Sequence, residues 1–266
     1  MRSIGFIGAG NMAEAIIGGI VKKGLYEPSE IMIYDVSQDR LDFLSSTFGV
    51  VNATGPQQLL AEVPIVILAV KPAILPVVVN ESKELLAGKL VISIAAGIPI
   101  DTIVNILGDN ARVIRVMPNT PALIGEGASA LASSQACSSE DIACAKSIFS
   151  AVGMCIELEE RLINAVTALS GSGPAFCFMF IEALSDGGVR SGLPRDTALA
   201  LAAATLKGAA GMVLETGKHP GVLKDMVTSP SGTTIEGVSV LESRGFRSAV
   251  TDAVHAAYKR ACDLAK

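Results

Sequence analysis

Residues 3–13 read Ser3-Ile4-Gly5-Phe6-Ile7-Gly8-Ala9-Gly10-Asn11-Met12-Ala13, and the fold follows from how this stretch is parsed. A short apolar run meets the glycine pattern G-x-G-x-x-A, and Ala13, Ile16, Ile17, Ile20 and Val21 then recur at helical spacing. Strand, tight turn and helix is the expected order. Gly8 permits the turn, Gly10 lets the backbone approach a pyrophosphate, and small Ala13 allows close packing of helix on strand. The helix N-terminus adds unpaired N–H groups and partial positive charge.

A glycine turn alone binds nothing in many proteins, so its context decides. This one follows the first strand, opens a helix, and is followed about 20 residues later by an acid, Asp35, at the end of a second strand candidate. Together these point to a dinucleotide site in which Gly8, Ala9, Gly10, Asn11 and Met12 face the phosphates. Asp35 suits the 2′- and 3′-hydroxyls of an NAD ribose and repels a 2′-phosphate, so the cofactor is NADH or NADPH with a lean to NADH. Arg40 is open between a cofactor contact and a solvated surface charge.

Further strand candidates are Ile31–Tyr34, Val50–Asn52, Ile65–Val70, Leu90–Ala95, Arg112–Met117 and Ser129–Leu131. Ile65 to Val70 and Leu90 to Ile94 are continuous apolar runs without alternation, as in strands covered on both faces of a largely parallel sheet. Loops at strand ends are where open α/β sheets bind ligands. Ala69, Val70 and Lys71 end one strand, Ala96 follows another, and Met117-Pro118-Asn119-Thr120-Pro121 follows a third. Lys71 reads equally as a solvated lysine, and the prolines around Asn119 equally as a rigid turn.

Beyond Glu157 the strand signal gives way to helices punctuated by glycine and proline. Leu162, Ile163, Val166 and Leu169 form one apolar face, Gly171-Ser172-Gly173-Pro174 reads as a break, and Leu199, Ala202, Ala203, Leu206, Ala210 and Val213 form another. The expected organisation is residues 1–158 as a doubly wound Rossmann domain and residues 159–266 as an all-helical domain. Apolar residues on several faces of the helical half suggest completion by a second copy of the chain; a self-contained bundle is the alternative.

Composition narrows the partners. Half of the 266 residues are hydrophobic and the formal net charge is −5, with no basic run for nucleic acid. A membrane span needs about 20 consecutive apolar residues. The best runs fail: Pro64 to Val79 is cut by Lys71, Pro72 and Pro76, and Leu90 to Leu107 by Pro99 and Asp101. With no signal-peptide pattern at the start, the expected location is cytoplasmic. Five cysteines without C-x-x-C spacing and only two histidines, His219 and His255, argue against a metal site and a histidine-centred triad.

One segment carries a surplus of hydroxyls: Asp225-Met226-Val227-Thr228-Ser229-Pro230-Ser231-Gly232-Thr233-Thr234. Thr233 and Glu236 have capping-box spacing, so a helix is expected to start at Thr233. Its N-terminus is either a plain capped turn or a site for an anion smaller than pyrophosphate.

Five ordered blocks resemble one family. They are Ile4 to Met12, Ala69-Val70-Lys71-Pro72, Arg115 to Pro121, Leu169 to Ala175 and His219 to Asp225; the hydroxyl-rich stretch continued to Glu242 looks like the same family's C-terminal signature. The family is pyrroline-5-carboxylate reductase. The resemblance implies reduction of 1-pyrroline-5-carboxylate to L-proline by NAD(P)H, on a Rossmann domain joined to a helical dimerisation domain that is often assembled into larger rings of dimers. It implies that N–H groups of Gly232, Thr233 and Thr234 hold the substrate carboxylate, that the Thr234 hydroxyl lies near the ring nitrogen with Ser229 lining the pocket, and that Asn52 lies on the adenine side of the cofactor. Asp35 departs from the small hydroxyl or amide residue often found there in members that favour NADPH. Two other readings compete: a hydroxyacid-type dehydrogenase, which needs a catalytic lysine or histidine from the helical half, and a non-catalytic dinucleotide-binding regulator.

Overall fold

Strand β1 (Ile4–Ile7) is fully apolar in its surroundings because it is flanked by strands on both edges and covered on both faces. In the computed structural model, which describes residues 2–265, the strands are β1, β2 (Ile31–Tyr34), β3 (Val51–Asn52), β4 (Ile65–Leu68), β5 (Leu90–Ser93), β6 (Arg112–Met117), β7 (Gly127–Ser133) and β8 (Gly153–Glu157). They form one sheet in the order β3-β2-β1-β4-β5-β6-β7-β8. The first six are parallel, with Ile4 beside both Ile31 and Ile65. The chain then reverses: β7 is antiparallel to β6, and β8 lies parallel to β7 at the edge.

The helices of this unit are α1 (Asn11–Lys22), α2 (Gln38–Phe48), α3 (Pro56–Glu62), α4 (Leu75–Glu81), α5 (Lys83–Leu86), α6 (Ile100–Leu107), α7 (Ser139–Ser150) and α8 (Ile163–Val166). One face of the sheet packs Ile16, Ile17 and Ile20 of α1 with Ile148 and Phe149 of α7 around Phe6 and Ile33. The other packs Leu59 and Leu60 of α3, Leu75 and Val79 of α4 and Ile100 and Ile103 of α6 around Val66, Leu68 and Val91. Each fully buried Ile or Leu contributes roughly 1.5–3 kcal/mol relative to exposure. These faces are what hold the strand ends in register.

Strand β8 is absent from the sequence expectation. Its side chains are half exposed or exposed, with Met154 and Ile156 facing solvent, so it lacks the apolar run that marks β4 and β5. Backbone geometry makes it possible: Gly153 has φ 140°, and a Cβ there would stand 2.1 Å from the Gly127 carbonyl oxygen.

The compact units also part later than the boundary expected at 158/159. The first runs to Ser172 and includes the C-terminal segment from Ala257; the second is Gly173–Ala256. Residues 160–172 stay with the sheet because Arg115 on β6, 4% exposed, donates to Glu160 Oε1 at 3.0 Å, while that oxygen also accepts from Ile100 N–H at 2.7 Å. The expected break at Gly171-Ser172-Gly173-Pro174 is a bend at Ser172: a π turn, Thr167–Gly171, precedes it and the helix restarts at Gly173.

The second unit holds α9 (Gly173–Arg190), α10 (Arg195–Thr216), α11 (Pro220–Met226) and α12 (Thr233–Ser243), and α13 (Phe246–Leu264) begins in it. Small residues let α9 and α10 approach: a Cβ on Gly188 would lie 3.1 Å from that of Ala198. Ser185, buried, accepts from Arg195 Nη1 at 3.0 Å, and Phe180 packs against Phe246 with ring centroids 5.8 Å apart. Large apolar side chains nevertheless face outward, Phe178, Met179 and Leu214 among them at 63, 69 and 70% exposure. The stretches Glu160–Arg190 and Arg195–Thr216 are long and apolar enough to cross a bilayer by length and composition. Scattered charges, Glu182 and Asp186 in the first and Lys207 in the second, leave neither as an uninterrupted apolar run.

The five cysteines are free. Burial pushes the Cys155 thiol up to about 11 and raises Cys137 and Cys144 as well. Tyr26, donating to or accepting from Cys144 Sγ at 3.8 Å, is also raised, chiefly by burial.

Candidate active site

The C-terminal end of β1 turns sharply at Gly8, whose φ of 105° favours glycine. A Cβ there would come within 2.5 Å of the Ala69 carbonyl oxygen and 3.0 Å of Val70 N. The glycine therefore brings the first loop directly against the loop after β4. Gly10 then caps α1 in extended backbone with no side-chain hydrogen bond, and a Cβ on it would meet nothing within 4 Å. Open space over a helix N-terminus with unpaired N–H groups is the arrangement a pyrophosphate requires. Ala9 and Ala13 are fully buried beneath it, while Asn11 is exposed and Met12 half-buried.

Asp35 follows β2 and is held from two sides. Its Oδ2 accepts from Ala9 N–H at 2.6 Å and its Oδ1 from Ser37 N–H at 2.9 Å. The carboxylate is thus fixed beside the glycine loop, where a ribose attached to the pyrophosphate lies in this fold. Arg40 is not a solvated surface charge. Its Nε donates to the Ala9 carbonyl at 2.8 Å and its Nη2 pairs with Glu14 at 2.7 Å. The Ala9 peptide is therefore gripped through its N–H by an acid and through its carbonyl by a base. Sequence spacing shows neither bond, since Arg40 and Ala9 meet only when α2 packs beside α1.

Asn52 ends β3, with Nδ2 3.5 Å from Ser45 Oγ and a buried Oδ1 that lacks a protein partner. A buried acceptor left open costs free energy unless a ligand or water fills it, which fits a position beside a bound heterocycle. Lys71 and Ala96 are exposed at the ends of β4 and β5. Asn119 differs from the expectation. It is 7% exposed, and its amide points into the protein, Nδ2 donating to the Ser170 carbonyl at 3.0 Å and Oδ1 accepting from Ala128 N–H at 2.9 Å.

In the second unit, α12 begins at Thr233 as expected but without the capping box. Gly232 is the N-cap and no side chain caps the helix. A Cβ on residue 232 would lie 2.3 Å from Ser229 Oγ, so a larger residue there would displace that hydroxyl, and the Gly232 N–H donates to the Ser229 carbonyl at 3.1 Å. Ser231 has φ 55°, the one non-glycine residue with positive φ among those described. Such backbone costs of order 1–3 kcal/mol and gathers at functional loops. Thr228 Oγ1 is already used on the Lys224 carbonyl at 2.7 Å. Thr234 is half-buried and Thr233 and Ser229 are exposed, so this uncapped terminus leaves its N–H groups for something other than a side chain.

A Rossmann cradle shaped for pyrophosphate and ribose, followed by a helical region, defines the class: an NAD(P)H-dependent oxidoreductase. Two family models match, "NADP oxidoreductase coenzyme F420-dependent" over residues 3–97 and "Pyrroline-5-carboxylate reductase dimerisation" over residues 160–264. The pyrroline-5-carboxylate reductase of Methanosarcina acetivorans is 48% identical over 100% of this chain and 98% of its own length. A solved pyrroline-5-carboxylate reductase from Coxiella burnetii superposes with a TM-score of 0.94 at 39% identity, covering 100% of this chain and 99% of that one. The Plasmodium falciparum pyrroline carboxylate reductase, solved with NADP bound, gives 0.90 at 32% identity over 100% and 98%. The chain belongs to the pyrroline-5-carboxylate reductase family, and its reaction is hydride transfer from NAD(P)H to the C=N bond of 1-pyrroline-5-carboxylate, giving L-proline.

Proposed function

We propose that the substrate carboxylate is held at the N-terminus of α12 by the N–H groups of Gly232, Thr233 and Thr234, with Ser229 lining the pocket. The observation that carries this reading is the uncapped start of α12, where Gly232 replaces the side-chain cap that Thr233 and Glu236 were expected to form. Free N–H groups and the helix dipole both favour a carboxylate there. The Thr234 hydroxyl is placed for the imine nitrogen, donating to it or relaying a proton from water. A threonine is too weak an acid to supply the proton itself at neutral pH, so protonated substrate or water is its source. The rest of the catalysis is orientation and charge stabilisation.

The nicotinamide cofactor, when bound, supplies the hydride to the imine carbon. Gly8, Ala9, Gly10, Asn11 and Met12 hold its pyrophosphate, Asp35 its ribose hydroxyls and Asn52 its adenine side, while Ala69, Val70, Lys71 and Ala96 lie along it at the strand ends. The fixed Asp35 carboxylate favours NADH over NADPH. A second copy of the chain covers the outward apolar faces of α9 and α10, giving a homodimer or an assembly of dimers in the cytoplasm; charges such as Glu182 and Asp186 on these faces suit a protein partner better than lipid. The functional division into residues 1–158 for cofactor and 159–266 for substrate and dimerisation belongs to the same reading. NADH oxidation followed with pyrroline-5-carboxylate, and separately with keto forms of hydroxyacids, tests it. Turnover of the pyrroline alone is expected; turnover of keto acids instead would favour a hydroxyacid dehydrogenase, and none at all a binding protein.

A further inference from the structure

The inward amide of Asn119 has a local cause. In a helix the carbonyl of residue 170 accepts the N–H of residue 174, but residue 174 is proline and has none. Two nearby donors are committed elsewhere: Ser170 Oγ to the Val166 carbonyl at 3.2 Å, and the N–H of Ser172 to the Thr167 carbonyl at 2.9 Å, which closes the π turn. Asn119 Nδ2 fills the place at 3.0 Å, and its Oδ1 receives Ala128 N–H of β7 at 2.9 Å. One buried side chain thereby joins the loop after β6 to β7 and to the π turn. Beside it, Met117 Cε lies 2.7 Å from where a Cβ on Gly171 would be, so the end of β6 and the turn are packed without a gap. On the other side of Met117, Arg115 clasps Glu160 and reaches Asn164 Oδ1 at 3.4 Å. The same stretch of chain is pinned to β6 twice.

We propose that Asn119 is a positioning residue for hydride transfer. It locks the Met117–Pro121 loop, at the carboxyl ends of the parallel strands, against a π turn of the kind that recurs at functional sites. The inference rests on the cofactor site assigned above, and it replaces a direct side-chain contact of Asn119 with the cofactor by an indirect role. A misplacement of about 1 Å is enough to cost on the order of 100-fold in rate when reacting atoms must be aligned.

The test separates positioning from mere satisfaction of a carbonyl. Asn119→Ala is expected to lower kcat by roughly tenfold or more, to leave the Kd for NADH within about threefold, and to lower Tm. Pro174→Ala supplies the missing N–H for the Ser170 carbonyl but no acceptor for Ala128, so the double variant recovers part of the lost Tm while kcat stays low. Asn119→Asp keeps the acceptor for Ala128 and sets a carboxylate against the Ser170 carbonyl, and it shows the same loss of kcat. Wild-type kcat in Asn119→Asp or Asn119→Ala, or kcat returning together with Tm in the double variant, overturns the proposal. Failure of the wild-type chain to turn over pyrroline-5-carboxylate would refute the functional reading itself, and is seen before any variant is compared.

Discussion

Replacing Asp35 with Ser removes a fixed negative charge bonded to the glycine loop. The carboxylate cannot swing aside, because each oxygen holds a backbone N–H, Ala9 at 2.6 Å and Ser37 at 2.9 Å. A phosphate monoester carries about −1.5 to −2 at neutral pH. Because Asp35 is only half-buried, the bulk dielectric value is the appropriate conservative choice. At a separation of about 5 Å it gives roughly 0.8 kcal/mol per pair of unit charges, hence about 1.5 kcal/mol against a 2′-phosphate. That is about tenfold. Arg40 does not offset it, being engaged by Glu14 and the Ala9 carbonyl. The assay is kcat/KM for NADPH relative to NADH at saturating pyrroline-5-carboxylate. Asp35→Ser loses the Ala9 anchor and the proposed ribose contact, so both values are expected to fall, but their ratio moves toward NADPH by about tenfold. The wild-type discrimination also weakens in about 1 M salt, where screening acts over about 3 Å. A ratio unchanged within about twofold refutes the electrostatic reasoning and the placement of Asp35 at the ribose.

Thr234→Ala removes the hydrogen bond proposed for the imine nitrogen, a group that carries charge when protonated, worth about 1.5–3 kcal/mol; kcat is expected to fall roughly 10- to 100-fold while NADH affinity by fluorescence titration is unchanged, and equal loss of both would indicate damage to the fold. Alkaline stability follows from the buried thiols. Burial pushes the Cys155 thiol from its ordinary value of 9.0 up to about 11, so above pH 9 the unfolded state binds fewer protons and stability falls with rising pH until the folded thiol ionises. Cys137 and Cys144 shift in the same direction. Tm therefore declines between pH 9 and 11, and Cys155→Ala flattens that decline; an identical profile in the variant would contradict it.

The parts most legible in the sequence are those set by local chemistry. The β1-loop-α1 unit could be read because Gly8 needs positive φ and because Ile4 to Ile7 and Ile16, Ile17 and Ile20 keep the periods of a strand and a helix. Strands β4 and β5 were visible for the same reason, although each ends two residues earlier than the expected strand. Features set by distant partners were hidden. Strand β8 depends on Gly127 across the sheet edge, Arg40 on the Ala9 carbonyl 31 residues away, and Asn119 on Ser170 51 residues away. The Gly-Ser-Gly-Pro motif marks the break, a bend at Ser172 after which the helix restarts at Gly173, but the π turn just before it, joined to the loop after β6 by Asn119, has no signature in the spacing. Thr233 and Glu236 misled, offering a cap that the structure does not use.

The central claim is that the chain passes hydride from its cofactor to the imine carbon of a cyclic imino acid. Its most direct test is turnover with NADH deuterated at the transferring position of the nicotinamide ring. The proline recovered should carry a single deuterium at C5, the carbon that was double-bonded to nitrogen, in proportion to cofactor oxidised. Proline without the label, or cofactor consumed with no proline formed, would contradict it.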